Sequence, residues 1–386
     1  MMKCIGSDAS DSLKRKIERK VLNEVNQLTT INAQHMFAIL DAMHYRSTPV
    51  LEACSNKVID NIHGTPFVWL MRIITACVNL EYRNAVLCDE ITNYVASTFF
   101  MWDTKQVVQF LSAFEHLKFR PAELIDVFAE KVTTHPEFLN LKTILTVLWT
   151  YSRHGYVPKC QNQQFFEALN SALNKYLYRI SNVYLLDAVY SFCVLGYFPQ
   201  LALNQLMQED ILDDLVKSDG MKIQKNKMML HIVNVCLELE SPSFTKTAAM
   251  STWKPSISVS DTYEVEETLL ALLGDQSLFQ SKVQVSHGYI IDFVIKMDAE
   301  QKEVFPVYKA DVLTDDSNVQ RVALLCVSMS SFCWSTKHPR GYLAMRMRHL
   351  KILGYHVIPI CNQEFKNLKK EEAVEYLRGK IFSAKV

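Results

Sequence analysis

The chain has 386 residues, enough for two to three domains at about 150 residues each, and 49% apolar against 21% charged residues excludes a disordered chain. Forty-one Lys and Arg balance 41 Asp and Glu, which excludes a uniformly basic nucleic-acid binder and an acidic tail protein but leaves room for a local basic face. Ten Gly and 11 Pro are too few for collagen-like or low-complexity sequence.

Residues 1–20 mix Lys and Arg with Asp8, Asp11 and Glu18. A transit peptide is Arg-rich and poor in acids, so the expectation is that a longer form carries any presequence upstream. The apolar run from Phe67 to Leu80 is broken by Arg72 and too short to span a bilayer, so no membrane partner is expected. Ten cysteines show no C-x-x-C and no zinc spacing. Several, such as Cys77 and Cys193, lie in apolar runs and read as buried free thiols in a reducing compartment.

From residue 21 to 245 a pattern recurs. Tyr45, Tyr82, Phe119, Tyr156 and Tyr197 are separated by 37, 37, 37 and 41 residues. Five residues before each stand Leu40, Cys77, Phe114, Tyr151 and Phe192, and eight before stand Phe37, Ile74, Leu111, Leu148 and Val189. Pro121, Pro158 and Pro199 follow the last three aromatics by two, and Gly155 and Gly196 precede the last two. A weaker sixth copy, HIVNVCLELESP, ends at Pro242. Offsets of three, five and eight share one helix face, and Pro suits the start of the next helix. A period in the thirties fits a helical hairpin that buries its apolar face only by stacking on its neighbours, so an α-solenoid is expected. Such repeats bind single-stranded RNA or proteins, and the period does not choose between them.

The Ser/Thr/Pro-rich stretch 246–260 reads as a linker. Beyond it, 261–386 reads as an α/β domain: a helix over Glu264–Leu273 stopped by Gly274, strands over Lys282–Ser286 and Tyr289–Met297 with His287-Gly288 as the turn, a strand over Arg321–Ser328, a helix over Leu343–Leu353 stopped by Gly354, a strand over His356–Ile360, and a helix over Lys369–Ile381. This α-β-β-β-α-β-α order is that of restriction-endonuclease-like folds.

From Ser317 to Gln363 there is no Asp or Glu, yet the stretch holds Arg321, Lys337, Arg340, Arg346, Arg348 and Lys351. Clustered cations in a neutral chain point to phosphate, and Trp334 and Tyr342 beside them are placed to stack on bases. No chemistry-bearing motif accompanies them. The chain has no G-x-G-x-x-G, no G-x-x-x-x-G-K-[ST], no H-R-D, no D-F-G and no H-E-x-x-H. No catalytic residue, metal or cofactor is therefore assigned.

The segment RGYLAMRMRHLKILGYHVIPICNQEFKNL, Arg340 to Leu368, resembles the RAP domain in Gly341, Arg346, Arg348, Leu353-Gly354-Tyr355, Val357-Ile358 and Phe365. The helical pairs VLWTYSRHGYVP and YSFCVLGYFPQLAL are similar to FAST kinase-like regions. Together they resemble the FAST kinase domain-containing family of mitochondrial RNA proteins. The resemblance implies a RAP domain over about 305–376, a matrix location, single-stranded mitochondrial RNA as partner with protein partners in RNA granules, and roles in transcript stability, processing or translation. It also implies further N-terminal sequence in a longer form. Many RAP domains carry an acidic pair where this chain has Leu325 and Val327, so a metal-dependent nuclease site at Asp292, completed only by Asp311, Asp315 and Asp316 from a loop, reads as degenerate. The expectation is a non-catalytic RNA-binding protein, with a Mg²⁺-dependent RNA endonuclease and a protein-interaction scaffold as the rivals.

Overall fold

The protein is described here by a computed structural model covering residues 10–158, 162–217, 221–241, 262–298, 300, 302–307 and 319–382. The predicted linker 246–260 and the loop aspartates Asp311, Asp315 and Asp316 fall outside these residues. Two compact units emerge, one of residues up to 179 with the segment Cys333–Lys337, the other of residues 180–332 with 338 onward.

The first unit is all helical: α1 (Asp11–Asn23), α2 (Thr30–Ala42), α3 (Thr48–Ile59), α4 (Phe67–Asn79), α5 (Ala85–Ser97), α6 (Thr104–Leu117), α7 (Ala122–Thr134), α8 (Leu141–His154) and α9 (Asn162–Asn174). α2, α4, α6 and α8 pack on one another as a first layer; α1, α3, α5, α7 and α9 form a second. Each first-layer helix starts on a polar cap or on Pro: Thr29 accepts from Asn32 N–H, Asp103 and Gln106 close a capping box, Asn140 accepts from Thr143 N–H, and Pro66 opens α4.

The repeat's aromatic marks a helix stop. Tyr45, Tyr82, Phe119 and Tyr156 each donate their backbone N–H to the carbonyl five residues earlier, at 2.9–3.1 Å. That is the outer bond of a Schellman turn, and it explains the fixed offset of five. The turn requires a left-handed residue just before the aromatic. Gly155 supplies it at φ 59°, but His44, Glu81 and Lys118 adopt φ 46°, 50° and 59° without being glycine. The aromatic then enters the core: Phe119 and Tyr156 are buried against the helix they terminate, and Tyr82 is buried with its ring near Phe37 of α2, each such ring contributing about 1.5–3 kcal/mol. Segment Cys333–Lys337 also belongs to this unit, with the Trp334 ring against Phe119 at 5.7 Å, Trp334 N–H on the Lys118 carbonyl, and Cys333 Sγ 3.9 Å from Nδ1 of the buried His154.

The second unit begins with α10 (Asn182–Val194), α11 (Gln200–Leu206), α12 (Glu209–Lys217) and α13 (Met221–Glu240), and the fifth aromatic, Tyr197, makes the same turn onto the Phe192 carbonyl after Gly196 at φ 81°. Then come α14 (Tyr263–Leu273), β1 (Phe279–Gln284), β2 (Ile290–Asp298), β3 (Val304–Phe305), β4 (Val319–Val327), α15 (Gly341–Ile352), β5 (Tyr355–Cys361), α16 (Asn362–Phe365) and α17 (Lys370–Ile381). The elements predicted for this region form within a few residues of their expected bounds; the two-residue β3, an edge pairing on β2, was not legible. The sheet runs β1-β2-β4-β5, antiparallel except for the parallel pair β4–β5 that α15 connects. One core packs α13 and α15 on one sheet face, and a second packs α14 and α17 on the other. Alternate residues of β4 enter both cores, Ala323, Leu325 and Val327 into the first and Val322, Leu324 and Cys326 into the second. A strand covered on both faces reads as an unbroken apolar run.

Candidate nucleic-acid interface

The six predicted cations meet different fates. Arg321, on β4, stacks on the Tyr355 ring at 4.8 Å and donates to the Leu353 carbonyl. Its guanidinium fills the space beside Gly354, where a Cβ would lie 2.5 Å from Arg321 Nη2 and where φ is 84°. The Leu-Gly-Tyr motif is thus a cradle for that arginine. Arg346 donates to the Ile290 carbonyl. Arg348 is turned into the fold: Nε and Nη2 grip Glu240 at 2.8 and 2.9 Å, while Nη1 and Nη2 reach the Val194 and Cys193 carbonyls at 3.2 Å.

The others lie outward. Lys351 is exposed on α15, Arg340 is half-buried at the N-cap of that helix with its N–H on the Ser331 carbonyl, and Tyr342 on the first turn is 52% exposed. Lys337, exposed at φ 53°, and the half-buried Trp334 belong to the first unit. The structure therefore brings Arg340, Tyr342 and Lys351 onto one helix and separates Arg321, Arg346 and Arg348 from solvent-facing duty.

Sequence reasoning missed Glu240, 108 residues from Arg348. Its carboxylate, on the last turn of α13, takes the guanidinium and also Nε2–H of the fully buried His349 at 2.6 Å, whose Nδ1 accepts from Tyr289 O–H at 2.6 Å. Burial drives the Glu240 carboxyl up, but the bonds from His349 and Arg348 outweigh it and hold it below the usual carboxylate range. Cys236 lies beside it, and ligand atoms of Cys236, Glu240 and His349 fall within 4.8 Å of one another. By residue type the trio suits a divalent ion. Both Glu240 oxygens, however, already carry charged or polar donors, burial pushes the Cys236 thiol well up, and a cation there would face the guanidinium. The arrangement is a self-satisfied buried ion-pair network.

Asp292 was the candidate nuclease residue. The β1–β2 ladder pairs Ser281 with Phe293 and Val283 with Ile291, and between them Lys282 takes φ 53°. At this break the strand switches faces, Ile291 entering one core and Phe293 the other. The Asp292 carboxylate accepts the Cys326 backbone N–H at 2.8 Å across the break. Leu325 and Val327 are buried in the α15-side core. Among the described residues Asp292 joins no cluster of three metal-capable side chains.

Two helical layers followed in the chain by an α/β unit that carries a basic, acid-free stretch and a Leu-Gly-Tyr cradle define a class, and three family models match it in order. These are FAST kinase-like protein subdomain 1 over residues 144–216, FAST kinase-like protein subdomain 2 over 226–306, and the RAP domain over 324–380. The chain belongs to the FAST kinase domain-containing protein family. It is similar to FAST kinase domain-containing protein 2, mitochondrial, of Homo sapiens, at 44% identity over 99% of this chain and 54% of that protein. The Mus musculus protein of the same name matches at 43% over 100% of this chain and 56% of its own length. FAST kinase domain-containing protein 4 of Mus musculus matches at 22% over 99% and 63%. The chain thus spans about half the length of the first of these relatives. Among the described residues no helix is long and apolar enough to cross a membrane.

Proposed function

We propose that the chain is an RNA-binding protein acting on mitochondrial transcripts, in their stability, processing or translation, without catalysis of its own. The observation that carries this reading is the stretch from Ser317 to Gln363, which holds six Lys and Arg and no carboxylate in a chain of zero net charge. With Arg321, Arg346 and Arg348 committed inside the fold, Arg340 and Lys351 meet phosphate and Tyr342 offers a ring for a base. On this reading the helical layers are an α-solenoid, and the α/β unit is a restriction-endonuclease-like fold whose metal site is degenerate, a pseudoenzyme, with the candidate carboxylate of Asp292 accepting a backbone N–H. The similar proteins named as mitochondrial support that compartment, and protein partners in RNA granules fit the same reading.

The test is binding of the purified chain to mitochondrial single-stranded RNA across a salt series, with and without Mg²⁺, against an Arg340→Ala/Lys351→Ala variant. Salt-sensitive binding without cleavage, weakened in the variant, is expected. Mg²⁺-dependent cleavage abolished by Asp292→Ala would support the nuclease instead, and no binding at low salt would overturn the RNA reading and favour the scaffold.

A further inference from the structure

The period of 37 governs surface as well as core. In α2, α4, α6 and α8, the core residues Phe37, Ile74, Leu111 and Leu148 are buried. On the opposite face the same period aligns rows of side chains: Ile31, Val68, Lys105 and Lys142 in one row, and His35, Arg72, Gln109 and Thr146 in the next. The first row is exposed throughout, and Arg72 and Gln109 are exposed in the second. The two layers also differ in charge. The four first-layer helices carry four Lys and Arg and two acids, whereas α3, α5, α7 and α9, which lie beside them in the second layer, carry two Lys and seven acids; α1, at the start of that layer, adds five Lys and Arg and two acids. Both first-layer acids are engaged across repeats, Asp41 by Asn79 at 2.9 Å and Glu115 by Arg153 at 3.4 Å. Two indoles lie in the same layer with a guanidinium on each, Arg72 over Trp69 at 4.8 Å and Arg153 over Trp149 at 4.7 Å.

We infer that this first-layer face is where single-stranded RNA lies, one repeat to one base. This rests on the RNA-binding reading and adds to it the surface and the residues that read sequence. A polyanion is repelled by α3, α5, α7 and α9 and attracted by the first layer. Lys105 and Lys142 hold phosphates. Arg72, Gln109 and Thr146, in register one repeat apart, meet base edges; helical-repeat RNA binders read one base per repeat with two or three side chains. Neighbouring helices about 8–10 Å apart set the step.

The experiment uses the whole chain and homopolymer RNAs. Lys105→Ala/Lys142→Ala is compared with Arg378→Ala/Lys380→Ala, a charge-matched exposed pair on α17. The first pair is expected to weaken binding about 10-fold or more at moderate salt and to lower the salt exponent by about 1.4, at about 0.7 per phosphate lost from a single strand; the control pair is expected to stay within about 2-fold of the wild type. Arg72→Ala/Gln109→Ala is expected to shift the ranking among the four homopolymers. All four sites are exposed, and an unchanged thermal melt verifies the fold. RNA binding by the wild type with no difference between the two lysine-bearing variants would overturn this surface while leaving the RNA reading standing. No binding by the wild type at low salt would remove both.

Discussion

Arg348 separates a folding role from a binding role. Arg348→Ala removes four donor contacts and leaves the Glu240 side chain, 11% exposed, with His349 alone. Breaking a buried pair from one side costs about 3–5 kcal/mol. The arginine side chain is itself 33% exposed, so the lower end, about 3 kcal/mol, is expected. For a unit of this size that lowers Tm by about 6–12 °C. The double change Arg348→Met/Glu240→Met replaces the pair with apolar bulk and should cost less than the sum of the two single changes by about 1–3 kcal/mol. The assay is thermal and urea unfolding of wild type, Arg348→Ala, Arg348→Met, Glu240→Met and the double variant, with RNA binding measured at a temperature where each is folded. Unchanged affinity of folded Arg348→Ala is expected. A variant that melts within about 1 °C of wild type yet loses RNA would refute the reasoning and return Arg348 to the RNA surface.

Three further outcomes follow from the same geometry. Glu81→Gly, at φ 50° in a helix-ending turn, should stabilise the first unit by about 0.5–1 kcal/mol, and Gly155→Ala, at φ 59°, should destabilise it by a similar amount in urea titrations; the opposite sign at either position would undo the account of the repeat's turn. Gly354→Ala should cost about 2–3 kcal/mol, because φ is 84° and the new Cβ displaces Arg321 from the Leu353 carbonyl; restoring stability with a second change, Arg321→Ala, would verify the clash as the cause. The Glu240 carboxyl is held low in the folded chain, so its contribution is complete above the unfolded carboxyl pKa of about 4.3 and disappears as pH falls through the lower folded value. Stability measured from pH 6 to pH 3 should fall less steeply in Glu240→Gln than in wild type.

The repeat was legible because a helical hairpin reuses one solution. The aromatic, the apolar residue five before it and the Pro two after it each answer a local demand: a Schellman bond, a core face and a new helix start. The strands of the α/β unit were legible for the same reason, alternation or unbroken apolarity over short windows. β3 was not, because two residues carry no period and exist only through pairing with β2.

What the amino-acid sequence determined by itself is the order of the longer elements of the α/β unit, the 37-residue repeat and the presence of a basic, acid-free stretch. What only the tertiary structure decided is where each charge goes. Arg346, Arg348 and Lys351 share one helix and look equivalent in sequence, yet one meets a strand carbonyl, one a glutamate 108 residues away, and one solvent. A helix fixes the direction of a side chain but not what stands there. Pairing across long sequence separation follows from how layers stack, and a buried arginine must find its partner wherever the packing brings a carboxylate.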